Sequence, residues 1–251
     1  MDKKTQLRVQ KLEFLLTQTD KIHLRNAAEL LNVSEMTIRR DVNTEHSNMS
    51  LIGGYILKNN QEQPQLNHLL SQRQTKNVLE KIHIGKIAAN LVQEGDTIFF
   101  DGGSTIPFIA SQIPNSVRFT AICCSINTFL ILREKPNCKI YLCGGSYSQD
   151  DLFINPVQNP NLLDLICTTK AFISASGVDK HLGLTCFRLD EAQIKHKAMA
   201  KTAQKILIFD HSKFNQVQQA YFGKLEEFDT IICNQSLPDD FSVSSQLNIM
   251  V

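Results

Sequence analysis

Asp101-Gly102-Gly103-Ser104-Thr105 follows directly on the apolar run Thr97-Ile98-Phe99-Phe100 and leads into a segment with Pro107 near its start. Paired glycines let a main chain turn and approach a ligand closely, and the first N–H groups of a helix attract an anion. The hydroxyls of Ser104 and Thr105 add donors, so this spacing predicts a phosphate cradle. Asp101 is itself an anion and is expected to point at something other than the phosphate, most simply a sugar hydroxyl. A tight strand-to-helix turn without a ligand is the plainer account of the same residues.

Four further apolar runs end in small or polar residues. Cys124 is followed by Ser125 and Asn127, Cys143 by Gly144 and Gly145, Ala175 by Ser176 and Gly177, and Phe209 by Asp210 and Lys213. Ligands of open α/β sheets lie outside the carboxyl ends of the strands, so all these residues are candidates to line one pocket. Lys213 is either a phosphate partner or an ordinary surface lysine. Lys195 stands four residues after Glu191, and an i,i+4 ion pair is a simpler reading of it than a place in the pocket.

A second chemical cluster, Ser34-Glu35-Met36-Thr37-Ile38-Arg39-Arg40, lies near the N-terminus. Ser34 stands where a helix N-cap belongs, ahead of a helix over Glu35 to Val42. A short helix ending at Asn32 precedes it, a helix over residues 4–18 carries an apolar stripe of Leu7, Val9, Leu12, Phe14, Leu15 and Leu16, and Ser50 to Leu57 reads as a hairpin around Gly53-Gly54. Together these make a winged helix-turn-helix, whose second helix enters the DNA major groove. Ile38 and Val42 face the core with Leu30 and Leu31, which leaves Glu35, Met36, Thr37, Arg39 and Arg40 for other directions. Arg39 and Arg40 lie about 100° apart on the helix. One suits a guanine edge; the other suits a phosphate or a carboxylate partner. Thr37 suits a phosphate or a thymine methyl, and Lys3, Lys4 and Arg8 suit sequence-blind phosphate contacts. The blander alternative is a solvated face of a small helical bundle.

Leu24 to Val42, above all Val33-Ser34-Glu35-Met36-Thr37-Ile38-Arg39-Arg40-Asp41-Val42, resembles the helix-turn-helix signature of the DeoR family of bacterial transcriptional regulators. Leu51-Ile52-Gly53-Gly54-Tyr55-Ile56, Cys143-Gly144-Gly145 and Asp210-His211-Ser212-Lys213-Phe214 follow in the family's order. The resemblance covers essentially the whole chain. It implies a sensor domain similar to ribose-5-phosphate isomerase that takes a phosphorylated sugar as effector. Asp101 to Thr105 then match the family's phosphate loop, and Asp210 and Lys213 its late Asp-x-x-Lys element. The resemblance also implies a repressor released from operator DNA by its ligand, with deoxyribose 5-phosphate as effector and deoxynucleoside catabolism as the controlled process. At Ile173-Ser174-Ala175-Ser176-Gly177 the chain departs from the isomerases, which carry an acidic run there. Without a positioned base next to a carbonyl, binding without turnover is expected. An isomerase-like enzyme with a DNA-binding appendage is the alternative.

These residues need a scaffold. After residue 70, a helix over Gln72–Gln93 (with Val78, Ile82, Ile87, Ala88 and Leu91 on its buried side) precedes strands near 97–100, 117–124, 139–143, 170–175 and 205–209. Helical segments near 106–113, 126–135 and 190–204 alternate with them. Such alternation predicts an α/β fold with a doubly wound, mostly parallel sheet. Residues 58–70, polar and containing Pro64, read as a linker between a winged helix-turn-helix domain (1–57) and a sugar-phosphate-sensing domain (71–251). The first 58 residues carry nine Lys/Arg against seven Asp/Glu, too small an excess to point to DNA by itself.

The rest of the composition excludes several classes. Hydrophobic residues at 42% and charged residues at 20% argue against disorder. No apolar run spans a bilayer, no secretory signal opens the chain, and the seven cysteines form no CxxC pair. A reduced, cytoplasmic protein with no metal or other cofactor is expected. Two DNA half-sites about one turn apart require paired winged helices, hence a dimer or higher homo-oligomer.

Overall fold

The computed structural model describes residues 3–18, 21–44, 47, 49–58, 76–148, 153–156, 160–241, 244 and 247–251. The chain divides into two compact units, Met1–Lys76 and Asn77–Val251.

In the first unit, α1 (Lys3–Gln18) leads to β1 (Lys21–His23), α2 (Leu24–Leu31), α3 (Glu35–Val42), β2 (Met49–Ile52) and β3 (Tyr55–Lys58). The three strands form an antiparallel sheet in the order β1-β3-β2. Asn32 ends α2 in the left-handed region at φ 51°, and the Val33 N–H bonds back to the Ala28 carbonyl at 3.0 Å. Ser34 then caps α3, its hydroxyl accepting from the Thr37 N–H at 3.2 Å. Gly53 and Gly54 both have positive φ, as the tight turn of the wing requires. The Gly54 carbonyl accepts from the Leu24 N–H at 2.7 Å, fixing the wing to the start of α2. Val9, Leu12, Leu16, Leu24, Ala27, Ile38, Val42 and Ile56 form the core. Leu7 and Leu30, both expected inside, are exposed instead. On α2 the buried face centres on Leu24, Ala27 and Ala28, and at about 100° per residue Leu30 falls roughly 110° from that centre, toward solvent. The side chains of Lys3, Lys4 and Phe14, the stretch 59–70 and residues 72–75 lie outside the described residues.

The second unit begins with α4 (Val78–Ala89). It continues through β4 (Thr97–Phe100), α5 (Ile106–Gln112), β5 (Phe119–Cys123), α6 (Ile126–Leu132), β6 (Cys138–Leu142), β7 (Ser146–Ser148) and β8 (Phe153–Asn155). Then follow α7 (Leu162–Leu165), β9 (Thr168–Ser174), β10 (Gly177–Asp179), β11 (Gly183–Cys186), α8 (Leu189–Ala200), β12 (Thr202–Ile208), β13 (Ala220–Gly223), β14 (Thr230–Ile232) and β15 (Asn248–Met250). Seven strands make one parallel sheet in the order β15-β14-β12-β9-β4-β5-β6. Successive strand residues point to opposite faces. Ile98, Phe100, Phe172, Ile206 and Ile208 pack with α4 and α5, while Phe99, Ala171, Ile173 and Leu207 pack with α8. Both faces are therefore covered, which is why the strands read as unbroken apolar runs.

Two smaller sheets, β7-β8 and β10-β11-β13, are antiparallel additions that the alternating pattern did not announce. The buried side of α4 also differs from the expected stripe. It is formed by Lys81, Ile84, Gly85, Ala88 and Ala89, with Val78, Ile82, Ile87 and Leu91 at or beyond its margins. All seven cysteines are free thiols.

Candidate functional site

From β4 the sheet grows outward through β5 and β6, and from β9 it grows the other way through β12, β14 and β15. The winding reverses between β4 and β9, and that crevice is where open α/β sheets take ligands. Asp101 emerges from β4 at this point, beside Ser174 at the end of β9. Asp101 is fully buried. Its Oδ2 accepts from the Ser174 N–H at 2.9 Å, from the Ser174 hydroxyl and from Lys195 Nζ.

Lys195, on α8 beneath the crevice, is also fully buried. It donates to the Ser174 carbonyl at 3.0 Å and pairs with Glu191 Oε1 at 2.9 Å, with the Phe222 ring centroid 5.2 Å away. An ammonium has three protons, and Asp101, Ser174 and Glu191 accept them. The expected Glu191–Lys195 pair exists, and the same ammonium also holds Asp101. Burial pushes the Asp101 carboxyl up, yet the Lys195 charge and the hydrogen bonds from Lys195 and Ser174 hold it below the usual range. Burial pushes Lys195 down, and Asp101 and Glu191 raise it above its ordinary value. The other Asp101 oxygen, Oδ1, is buried and has no hydrogen-bond partner. A buried acceptor in that state costs free energy until a donor reaches it, and a sugar hydroxyl is such a donor.

The following loop lies over β9. A Cβ on Gly103 would stand 2.1 Å from Ser174 Oγ, and one on Gly102 would stand 2.6 Å from the Phe153 ring. Neither glycine has positive φ, so close approach, not backbone freedom, selects glycine at both positions. Among the described residues, the N–H groups of Gly102, Gly103, Ser104 and Thr105 donate no hydrogen bond, and the Thr105 side chain makes no capping bond to α5. This row of donors and hydroxyls suits an anion.

At the end of β12, Asp210 is buried. Its Oδ1 accepts from Asn77 Nδ2 at 2.8 Å, from the Ser212 N–H at 3.0 Å and from the Ser212 hydroxyl. Lys213 Nζ lies 4.0 Å from Asp210 Oδ2 with the side chain partly exposed. Lys81 joins them from α4, a residue the sequence reading missed. It is buried, and its ammonium is pushed down to about 8, first by desolvation and further by Lys213, with Asp210 and Glu80 opposing. The signal was present: Lys81 falls in phase with Ile84, Gly85 and Ala88, and a lysine inside an apolar stripe needs an anionic partner.

The remaining candidates separate by environment. Ser125 caps α6 through the Thr128 N–H at 3.4 Å, and Asn127 is buried with its Oδ1 unpartnered. Gly144 borders open space. Gly145 passes the Asn155 carbonyl, which a Cβ would meet at 2.0 Å, and Gly177 passes the Gln216 carbonyl, at 2.4 Å. The chain's own packing therefore accounts for both of those glycines. The Ser176 N–H donates to the Thr185 carbonyl at 3.0 Å. Asp179 Oδ1 accepts from the His181 and Leu182 N–H groups and closes a turn. No cluster of His, Cys, Asp and Glu able to hold a metal occurs among the described residues.

In the first unit, Glu35, Met36 and Arg40 are exposed and Arg39 is half-buried, all on α3. Thr37 Oγ1 lies 2.9 Å from Ser34 Oγ, so both hydroxyls belong to the cap. Arg8 does not reach outward as expected. Its Nε and Nη2 bond to Asp41 Oδ2 and Oδ1 at 2.5 and 3.0 Å, because a carboxylate buried on the core side of α3 requires a cation. Arg8→Ala is expected to lower the stability of this unit by about 1–3 kcal/mol, the cost of leaving a buried charged partner unpaired. Denaturant unfolding measures this, and an unchanged midpoint would contradict it.

Comparison with known proteins agrees with this arrangement. Residues 8–60 match the DeoR-like helix-turn-helix domain, and residues 76–235 match the DeoR C terminal sensor domain. The chain is 42% identical over 240 residues to the deoxyribose operon repressor of Escherichia coli K12, covering 96% of this chain and 94% of the relative. It is 29% identical over 232 residues to the lactose phosphotransferase system repressor of Staphylococcus aureus, covering 90% of each. Ribose 5-phosphate isomerase A from Neisseria gonorrhoeae is structurally similar at a TM-score of 0.38 and 18% identity, over 53% of this chain and 52% of that one. With both of its units matched and a relative at this identity along nearly its whole length, the chain belongs to the DeoR family of transcriptional regulators.

Proposed function

We propose that the chain is a repressor of a sugar catabolic operon, held on operator DNA by its winged helix and released when a phosphorylated sugar enters the β4–β9 crevice. The observation that carries this is the buried, unpartnered Asp101 Oδ1 next to the unbonded N–H row of residues 102–105. In this reading the row takes the phosphate, Asp101 takes a sugar hydroxyl, and Lys81 and Lys213 supply positive charge. Asn127, Gly144 and Asp210 border the ligand. The name of the Escherichia coli relative favours deoxyribose 5-phosphate as effector and deoxynucleoside catabolism as the process. Paired half-sites favour a dimer or larger homo-oligomer, and a DNA-binding regulator works in the cytoplasm; among the described residues no helix is long and apolar enough to cross a membrane.

The test is to titrate the protein on the duplex it selects from a random pool with pentose, deoxypentose and hexose phosphates. Release by deoxyribose 5-phosphate at the lowest concentration is expected, and indifference to every phosphate would overturn the proposal. The alternative of an isomerase is disfavoured by the carboxylates present. Asp101 and Asp210 are both held below the usual carboxylate range, Asp101 by Lys195, and Asp210 by Ser212, Lys213 and Asn77 against the upward push of burial. Carboxylates held that low make weak bases. Product formed from ribose 5-phosphate or deoxyribose 5-phosphate would favour the enzyme.

Lys81 gives the site a pH signature. A lysine titrating at about 8 is charged below that pH and neutral above it. The phosphate is dianionic throughout this range. The effector concentration for half-release should therefore stay nearly level between about pH 7 and 8 and rise above pH 8, by up to about tenfold per unit if only the ammonium binds. Lys81→Met should raise that concentration at pH 7 at least about tenfold and flatten the dependence; a profile identical to that of the wild type would remove Lys81 from the site.

A further inference from the structure

We propose that sequence reading by α3 falls to Met36 and Arg40, and that Arg39 serves the phosphate backbone; this rests on the operator-binding reading above. Each helical residue advances about 100°. Ile38, Asp41 and Val42 are buried and mark the core side. Measured from Ile38, Met36 and Arg40 then lie at about 160° and 200°, opposite the core, whereas Arg39 lies at about 100° and Glu35 at about 60°. Exposure follows the angles: Met36 is 41% exposed, Arg40 is exposed and Arg39 is half-buried. Glu35 stands one turn before Arg39 and stabilises its charge against desolvation. Ser34 and Thr37 are committed to the cap. Of the six candidates on this segment, only Met36 and Arg40 present side chains directly away from the core.

Their chemistries are complementary. A guanidinium fork fits O6 and N7 of guanine, and an apolar side chain fits the thymine C5 methyl. Met36 is exposed on the side of α3 away from the core, and a thymine methyl would give it an apolar contact. Four residues of helix rise about 6 Å, close to two base-pair steps of 3.4 Å. Each half-site should therefore carry a guanine and a thymine about two base pairs apart, read by Arg40 and Met36 respectively.

The experiment selects duplexes from a random pool with the full-length wild type, then measures the selected and a scrambled duplex with four variants across salt concentrations. Arg40→Ala should lose the guanine preference and lower the selected-to-scrambled ratio by about 5- to 150-fold, equivalent to about 1–3 kcal/mol. Arg40→Lys should not restore it, because an ammonium cannot form the fork. Met36→Ala should relax the thymine position alone. Arg39→Ala should weaken both duplexes equally and reduce the salt slope by about one phosphate contact. Equal loss on both duplexes for Arg40→Ala, or a relaxed base position for Arg39→Ala, overturns the assignment while leaving operator binding intact. A wild type that selects no sequence overturns operator binding and this assignment together. Unfolding midpoints of the variants confirm that each remains folded.

Discussion

Lys195→Met is expected to destabilise the second unit by about 3–5 kcal/mol, the usual cost of removing one partner from a buried ion pair. The substitution keeps the volume beneath the crevice but leaves Asp101 and Glu191 without the cation that both contact, and Asp101 is fully buried. For a unit of this size each kcal/mol lowers the Tm by about 2–4 °C, so a fall of roughly 6–20 °C should appear in its transition. Asp101→Asn in the Lys195→Met background should recover part of the loss, since a neutral amide no longer needs the cation. A double variant no more stable than Lys195→Met would show that the pair is not the coupled unit described here. The pH dependence has a definite sign. Asp101 is held below its unfolded value, so its contribution is present above about pH 4 and disappears as pH falls through the folded value.

Gly103→Val is expected to abolish release by effector while operator affinity stays within about twofold of the wild type. Its Cβ would fall 2.1 Å from Ser174 Oγ, so the loop must lift away from β9 and carry the N–H row with it. Winged helix and sensor are separate compact units, so the damage should remain in the sensor. At least a tenfold rise in the effector concentration for half-release is the minimum consistent with the proposed cradle. Loss of operator binding with an intact fold would contradict the division of labour between the units. A normal response would place the ligand elsewhere.

Local elements were largely legible in the residues. Ser34 as a cap, the Asn32 stop, the Gly53-Gly54 turn and the five long strands follow from periodicity, capping chemistry and turn preference, which act over a few residues. The loop at Asp101 to Thr105 was legible for the same reason. Leu7 and Leu30 were misplaced because periodicity marks an apolar stripe but not its centre, which the neighbouring helices choose. Lys81 was overlooked because a charge inside a stripe is read as an interruption until its partners are known. In the β10-β11-β13 sheet, β10 and β11 form a hairpin of strands too short to show a clear period, and β13 joins it from far along the chain, a pairing that leaves little local trace.

By itself, the order of residues determined the helix-turn-helix, the central strands and helices of the second unit, and the family. Only the tertiary structure decided which charges meet. Lys195 reaches Asp101 across 94 positions, and Arg8 reaches Asp41 across 33. Local preference depends on neighbours along the chain, whereas a buried charge takes whatever counter-charge the packing of helix on sheet brings within reach. That is why Lys195, read first as the partner of Glu191, also holds Asp101, and why Arg8, read as a phosphate contact, holds Asp41.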